Sequence, residues 1–134
     1  MSRFLRVWML VVFTLCVVVF STAILAAEVS KAGRVNHIVI AWLKYPANPQ
    51  SKQKFIEVTK SFADLPGVID HSVGVVLPSS RKVVDSSFDV ATVITFKDRV
   101  ALNNYLNHPK HKKAVESLLK PLVRKIVVYD IDLK

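Results

Sequence analysis

Residues 35–43, VNHIVIAWL, alternate into two apolar sides. On a period of two, Val35, His37, Val39, Ala41 and Leu43 share one side, and Ile38, Ile40 and Trp42 the other. A strand with this pattern is covered on both faces. The turn YPANP follows, with Asn48 placed to cap a helix and Pro49 suited to its first position. Over residues 50–65, Phe55, Val58, Phe62 and Leu65 fall on one helical stripe, while Lys52, Lys54, Glu57, Lys60 and Asp64 take the wet side. Pro66-Gly67 ends that helix.

The strand pattern returns over residues 68–77, with Ile69, His71, Val73, Val75 and Leu77 on one face. PSSRKVVDSS is a loop by its serines and charges, and FDVATVITF, residues 88–96, is a third strand. Asp98 is a good N-cap for a second helix, with Leu102, Tyr105 and Leu106 inward. Pro109 interrupts it, and a new helical segment runs to about Lys120, ahead of Pro121. IVVYDI, residues 126–131, closes the chain as a fourth strand.

The order β-α-β-β-α-β predicts an α+β, ferredoxin-like protomer. Such a sheet covers one face with its two helices and leaves the other bare. Because both strand faces are apolar, a second sheet is expected on the bare one. Burying a few hundred Å² there contributes several kcal/mol at about 25 cal/mol per Å². A homodimer paired through the open sheet faces, a dimeric α/β barrel, follows.

The chain's first 27 residues are of another kind. Arg3 and Arg6 form a basic head, an almost unbroken apolar run follows from Val7 to Ala27, and the run ends in small residues. These mark a signal peptide. The run also has the length of about 20 residues that spans a bilayer, and Leu25 stands where a cleavage site favours a small residue, so an uncleaved membrane anchor is the alternative. Residues 28–33 then serve as a linker, and residues 34–134 form the domain. Either way the expected location is exported: the periplasm or cell envelope, with any inner-membrane attachment made only through residues 7–27.

The single cysteine, Cys16, lies inside the apolar run, with Leu15 before it and VVVF after it, an unsuitable setting for lipid attachment. The domain therefore has no disulfide or thiol chemistry and must rest on a packed core. A net charge of +9 admits nucleic acid, anionic lipid or an acidic ligand. Export argues against nucleic acid. Lys110, Lys112, Lys113, Lys120, Arg124 and Lys125 read as a solvated face, with a membrane-surface role as the weaker option. Three glycines in no Gly-rich run exclude a phosphate loop, and no Gly-x-Ser-x-Gly turn is present.

Four histidines remain, two of them in YLNHPKHKKAV. His111, Val115, Leu118 and Leu122 recur at helical spacing, which puts His111 on a buried stripe. His108, just before Pro109, caps or flanks the helix start. If the His37 face of the first strand meets the helices, His37 and His111 point into one space, with Tyr105 one turn earlier. A lone histidine among apolar neighbours is more often a hydrogen-bonded core residue than a catalyst, and His71 is read as structural. His-x-x-His supplies two metal ligands where a zinc site wants three or four, so no metal is expected without recruiting Asp89 or His37.

VNHIVIAWLK, LPGV, FDVATVITFKDRVALNNYLNHPKH and VVYDI together resemble the stress-responsive dimeric α/β-barrel (Dabb) family over about residues 35–131. The most specific piece is Tyr-x-x-His-Pro-x-His, here Tyr105, His108, Pro109 and His111. The resemblance implies a protomer pairing sheet to sheet. Many members have no assigned reaction, and one plant branch is a cofactor-free polyketide cyclase with its pocket between helices and sheet. Its central roles fall on His37, Tyr105 and His111. That branch also has a third-strand histidine, which an ungapped count places at Val90, beside Asp89, so the cyclase function does not carry over. Two readings stay open. The first is a dimeric protein whose pocket, lined by these residues, binds a small apolar or aromatic molecule. The second is a cofactor-free cyclase- or lyase-like enzyme with His111 as base and Tyr105 and His37 in support.

Overall fold

In a computed structural model of the chain, which describes residues 33–134, the alternating segment Val35–Leu43 forms strand β1. The signal or anchor expected over residues 1–27, and all but the end of the 28–33 linker, lie outside the described residues. Among the described residues no helix is long and apolar enough to cross a membrane. After β1 come helix α1 (Pro49–Lys60), strands β2 (Val68–Val75) and β3 (Val90–Phe96), and helices α2 (Arg99–Asn107) and α3 (Pro109–Ala114). A π-helical turn (Val115–Leu119) and a 3-10 turn (Lys120–Leu122) lead into strand β4 (Val123–Asp132). The sheet is antiparallel, in the order β2-β3-β1-β4, which is the expected ferredoxin-like arrangement.

The helix starts lie where the capping residues placed them. Asn48 accepts from the Gln50 and Ser51 amides, with Pro49 at the first helical position. Asp98 accepts from the Ala101 amide at 2.7 Å. α1 ends at Lys60, sooner than the stripe to Leu65 implied, although Phe62 and Leu65 stay buried in the turns that follow. At the end of those turns Gly67 takes φ +88°, and a Cβ there would stand 2.7 Å from the Cβ of Ala101. Only glycine combines that backbone with so close an approach to α2.

Register assigns the faces. Val35↔Phe96, His37↔Ile94, Val39↔Thr92 and Ala41↔Val90 place those residues together under the helices. The core is built there from Leu43, Phe55, Phe62, Val90, Ile94 and Phe96, all essentially inaccessible. β2 stops at Val75 rather than at residue 77, and Leu77 is exposed. Its register shifts between Val68 and Asp70, so Ile69 leaves the face it was expected to share with His71 and Val73 and stands half exposed. An extra residue in one strand of a pair turns its side chain out of the alternation.

A second phase error lies after α3. The stripe through His111 and Val115 predicts Leu118 inward, yet Leu118 is exposed and Leu119 is buried. The π turn is the cause: its wider winding advances the inward position by one residue. On the open side of the sheet, Ile38, Ile40, Val93 and Val127 are half-buried, while Tyr129 and Ile131 are exposed. Trp42, at one end of that side, is covered from within the chain. Its indole N–H donates to Ser87 Oγ at 3.1 Å, and Lys125 Nζ lies 4.3 Å over the ring.

Candidate functional site

His37 reaches the helix side of β1 by alternation, and the antiparallel pairing with β4 sets Asp130 directly opposite it. Its Nδ1 lies 2.7 Å from Asp130 Oδ1. An ionised carboxylate only accepts, so Nδ1 carries the proton, and in the neutral ring Nε2 is left as an acceptor. The ring is buried, while the Asp130 side chain is about half exposed.

Tyr105 comes up from α2, one turn before the break at Pro109. Its ring centroid is 6.0 Å from that of His37, 4.9 Å from Phe96 and 4.4 Å from His111. Phe62 closes the cluster, 5.2 Å from His111 and 6.0 Å from Tyr105. Tyr105 thus stands in contact with both histidines. Its hydroxyl has no hydrogen-bond partner among the described residues, and burial pushes its pKa well above that of an ordinary phenol.

His108 and His111 separate as expected. His108 accepts from the Lys110 amide through Nδ1 at 3.2 Å and caps α3, while His111 turns inward. Burial lowers the His111 pKa below 6.5; the Leu106 backbone offsets part of this, and the nearby His37 and His108 imidazoles lower it further. The shift favours the neutral ring. Among the described residues no three histidine, cysteine, aspartate or glutamate side chains are grouped to hold a metal ion. Asp89, the acid considered as a third ligand, accepts from the Leu43 amide at 2.8 Å instead.

The three residues singled out in the sequence line one cavity of about 190 Å³ between sheet and helices. Its remaining walls are mostly apolar, among them Val39, Phe55, Phe62 and Leu119. Ile126 and Val128 lie on the helix side of edge strand β4 and line the cavity, yet are 37% and 45% exposed, so the cavity opens at that edge. An apolar cavity of about 150 Å³ holds benzene. This one therefore matches a single substituted ring and is too small for an extended polyketide.

Among the described residues, two polar atoms on its wall are buried with no hydrogen-bond partner: Thr92 Oγ1 and His111 Nδ1. Each such group costs about 1–3 kcal/mol when left unpaired. By contrast Thr59, also on the wall, is satisfied by the Phe55 and Ile56 carbonyls. Sequence reasoning missed Asp130 and Thr92. VVYDI and FDVATVITF place both in strands, but which strand residue meets His37 is a matter of register, and register is not written locally. His71 lies on the same side of the sheet but does not line this cavity. Within the lysine cluster, Lys110 Nζ donates to the Ser61 carbonyl, Lys120 pairs with Glu116, and Lys125 lies over Trp42.

Solved structures share this architecture. A Dabb-family protein of ferredoxin-like fold from Mesorhizobium loti is 23% identical, with a TM-score of 0.61 over 74% of this chain and 95% of that one. A dimeric ferredoxin-like protein of unknown function from Thermobifida fusca is 18% identical, with a TM-score of 0.63 over 77% and 93%. A hydroxynitrile lyase from Passiflora edulis is 20% identical, with a TM-score of 0.66 over 75% and 94%. At these identities the likeness shows the fold alone. Among functionally curated proteins none matches the sequence. Residues 35–133 match the family described as the stress responsive A/B barrel domain, which takes in every described strand and helix. The chain belongs to the stress responsive A/B barrel domain family.

Proposed function

We propose that the protein is an exported homodimer, paired through its open sheet faces, whose protomers each bind a small aromatic carbonyl compound in the cavity under the helices. The observation that carries the ligand reading is the wall itself. Around one ring-sized apolar space stand Tyr105, Thr92 and His111, and the Tyr105 hydroxyl, Thr92 Oγ1 and His111 Nδ1 have no hydrogen-bond partner among the described residues. An apolar space with a few convergent polar groups is the usual form of a small-molecule site. No cofactor is required by this reading. Dimerisation is supported by the apolar residues of the open face and by similar structures described as dimeric.

Thermal melting of the full-length protein with benzaldehyde tests the ligand reading. A ligand that binds only the folded state raises Tm, by an amount that grows with its concentration over Kd. His111→Ala should reduce the shift; a wild-type Tm that does not move counts against the cavity as a binding site.

The buried, unpartnered Nδ1 of His111 beside Tyr105, with His37 held by Asp130 on the same wall, favours a second reading, cofactor-free acid/base catalysis. A carboxylate that fixes a histidine tautomer is the usual support for proton transfer. His111, neutral and with an unpartnered Nδ1, is the base that takes a proton alpha to the carbonyl, and the Tyr105 hydroxyl steadies the oxyanion that develops. The hydroxynitrile lyase of similar fold offers a lyase-like precedent. Deuterium exchange at the methyl group of acetophenone in D2O, followed by NMR, separates the two readings. Exchange lost in His111→Ala supports catalysis, and exchange at the buffer rate leaves binding alone.

A further inference from the structure

Thr92 is the one cavity residue whose buried polar group neither the acid/base reading nor the packing uses. It is 2% exposed, it lines the cavity, and its hydroxyl has no hydrogen-bond partner among the described residues. A threonine placed there only for packing is inferior to valine, which has the same branched shape and no hydroxyl to strand.

Its position gives the hydroxyl a direction of use. Thr92 pairs with Val39, while Ile94 pairs with His37. Two residues along a strand is about 7 Å, so Thr92 lies one pleat away from the histidine level. Tyr105 lies on the other side of that level, where its ring meets Phe96, two residues beyond Ile94. The cavity therefore has Thr92 toward one end and Tyr105 toward the other, with the His37 and His111 imidazoles and the apolar walls between them.

We infer that Thr92 sets the specificity of the cavity for a ring that is polar at both ends: a carbonyl at the Tyr105 end and a hydroxyl para to it, bonded to Thr92 Oγ1. This deepens the binding reading above and rests on it. The ligand class is a para-hydroxylated aromatic carbonyl, and the Thr92 hydroxyl, which both donates and accepts, matches a phenol in either sense. The Tyr105 hydroxyl, with no hydrogen-bond partner among the described residues, donates to the carbonyl oxygen.

Calorimetric titration of the full-length protein with benzaldehyde and with 4-hydroxybenzaldehyde tests this, using wild type, Thr92→Val and Thr92→Ser. The para hydroxyl should tighten binding to wild type about tenfold, the effect of one good buried hydrogen bond. Thr92→Val should bind both compounds alike, and Thr92→Ser should keep most of the preference. Melting curves report whether each variant is folded, and Thr92→Val should melt no lower than wild type. If neither compound binds wild type, the cavity reading fails and the Thr92 role with it. If benzaldehyde binds but the hydroxyl brings no gain, or the gain survives Thr92→Val, the Thr92 role alone is overturned.

Discussion

His37 and Asp130 sit opposite each other in the β1–β4 ladder, with Nδ1 and Oδ1 2.7 Å apart, one ring buried and one carboxylate half in water. The bond joins the solvent edge of the sheet to the cavity wall and holds the imidazole in one orientation. Removing the acid leaves Nδ1–H buried without an acceptor. Asp130→Ala should therefore cost about 1–2 kcal/mol in urea unfolding, within the range for a stranded buried donor. Nitrogen-15 NMR of the imidazoles should show a single His37 tautomer in wild type and a mixture in the variant. A single tautomer in both would remove Asp130 from the site.

Tyr105 offers the reverse case. Its ring is packed, but its hydroxyl has no protein partner among the described residues. Tyr105→Phe should change stability by less than about 0.5 kcal/mol, since no partner is stranded. It should weaken benzaldehyde binding about tenfold if the hydroxyl holds the carbonyl. A large loss of stability with unchanged affinity would make Tyr105 a core residue only.

Acid should loosen the fold through its half-buried histidines. Burial lowers the folded-state pKa of both His111 and His71 below the ordinary value of 6.5. The unfolded chain then binds these protons first, so stability is full above about pH 6.5 and is lost as pH falls through the interval down to the folded pKa values. Tm measured between pH 7.5 and 5 should fall, and His71→Gln combined with His111→Gln should flatten that fall. An equally steep fall in the double variant would assign the acid sensitivity to other groups.

Gly67 and Ala101 form a packing contact that can be tested by a cycle. Gly67→Ala meets both a positive φ and the Ala101 Cβ at 2.7 Å, and should destabilise by roughly 2–3 kcal/mol or more. Ala101→Gly alone should cost about 1 kcal/mol as a helix-interior glycine. Together they should cost less than the sum, because the clash is gone while the backbone strain stays. Strict additivity would show that the close approach carries no energy.

How far the sequence foretold this structure depends on the range of the interaction concerned. Asn48, Pro49 and Asp98 are local signals, and the helices start where they stand. The inward placing of His37, Tyr105 and His111 is legible from periodicity, since each sits on a face that its own neighbours define. Asp130 and Thr92 escaped because their place depends on which residues pair across strands. The bulge at Ile69 and the π turn before Leu119 escaped for a related reason. Each inserts one step into a regular repeat that, read locally, continues unbroken.

The open sheet face tests the proposed assembly. Ile38 and Val93 are paired across β1 and β3 on that side. Val93→Lys would place an ammonium in the middle of an apolar interface, where an unpaired charge costs several kcal/mol. Wild type should sediment as a dimer at micromolar concentration, and the variant as a monomer with unchanged far-ultraviolet circular dichroism. A monomeric wild type contradicts sheet-to-sheet pairing.

The occupancy of the cavity is the point on which most depends. NMR titration of the full-length protein with benzaldehyde, observing the His37, Tyr105 and His111 ring resonances, reads it directly. Ile126→Trp, which fills the opening from a partly exposed position on β4, serves as the blocked form. Saturable shifts of all three rings in wild type, absent in Ile126→Trp, are the predicted result. Rings that do not respond, or that respond equally in the blocked form, would contradict a ligand site under the helices.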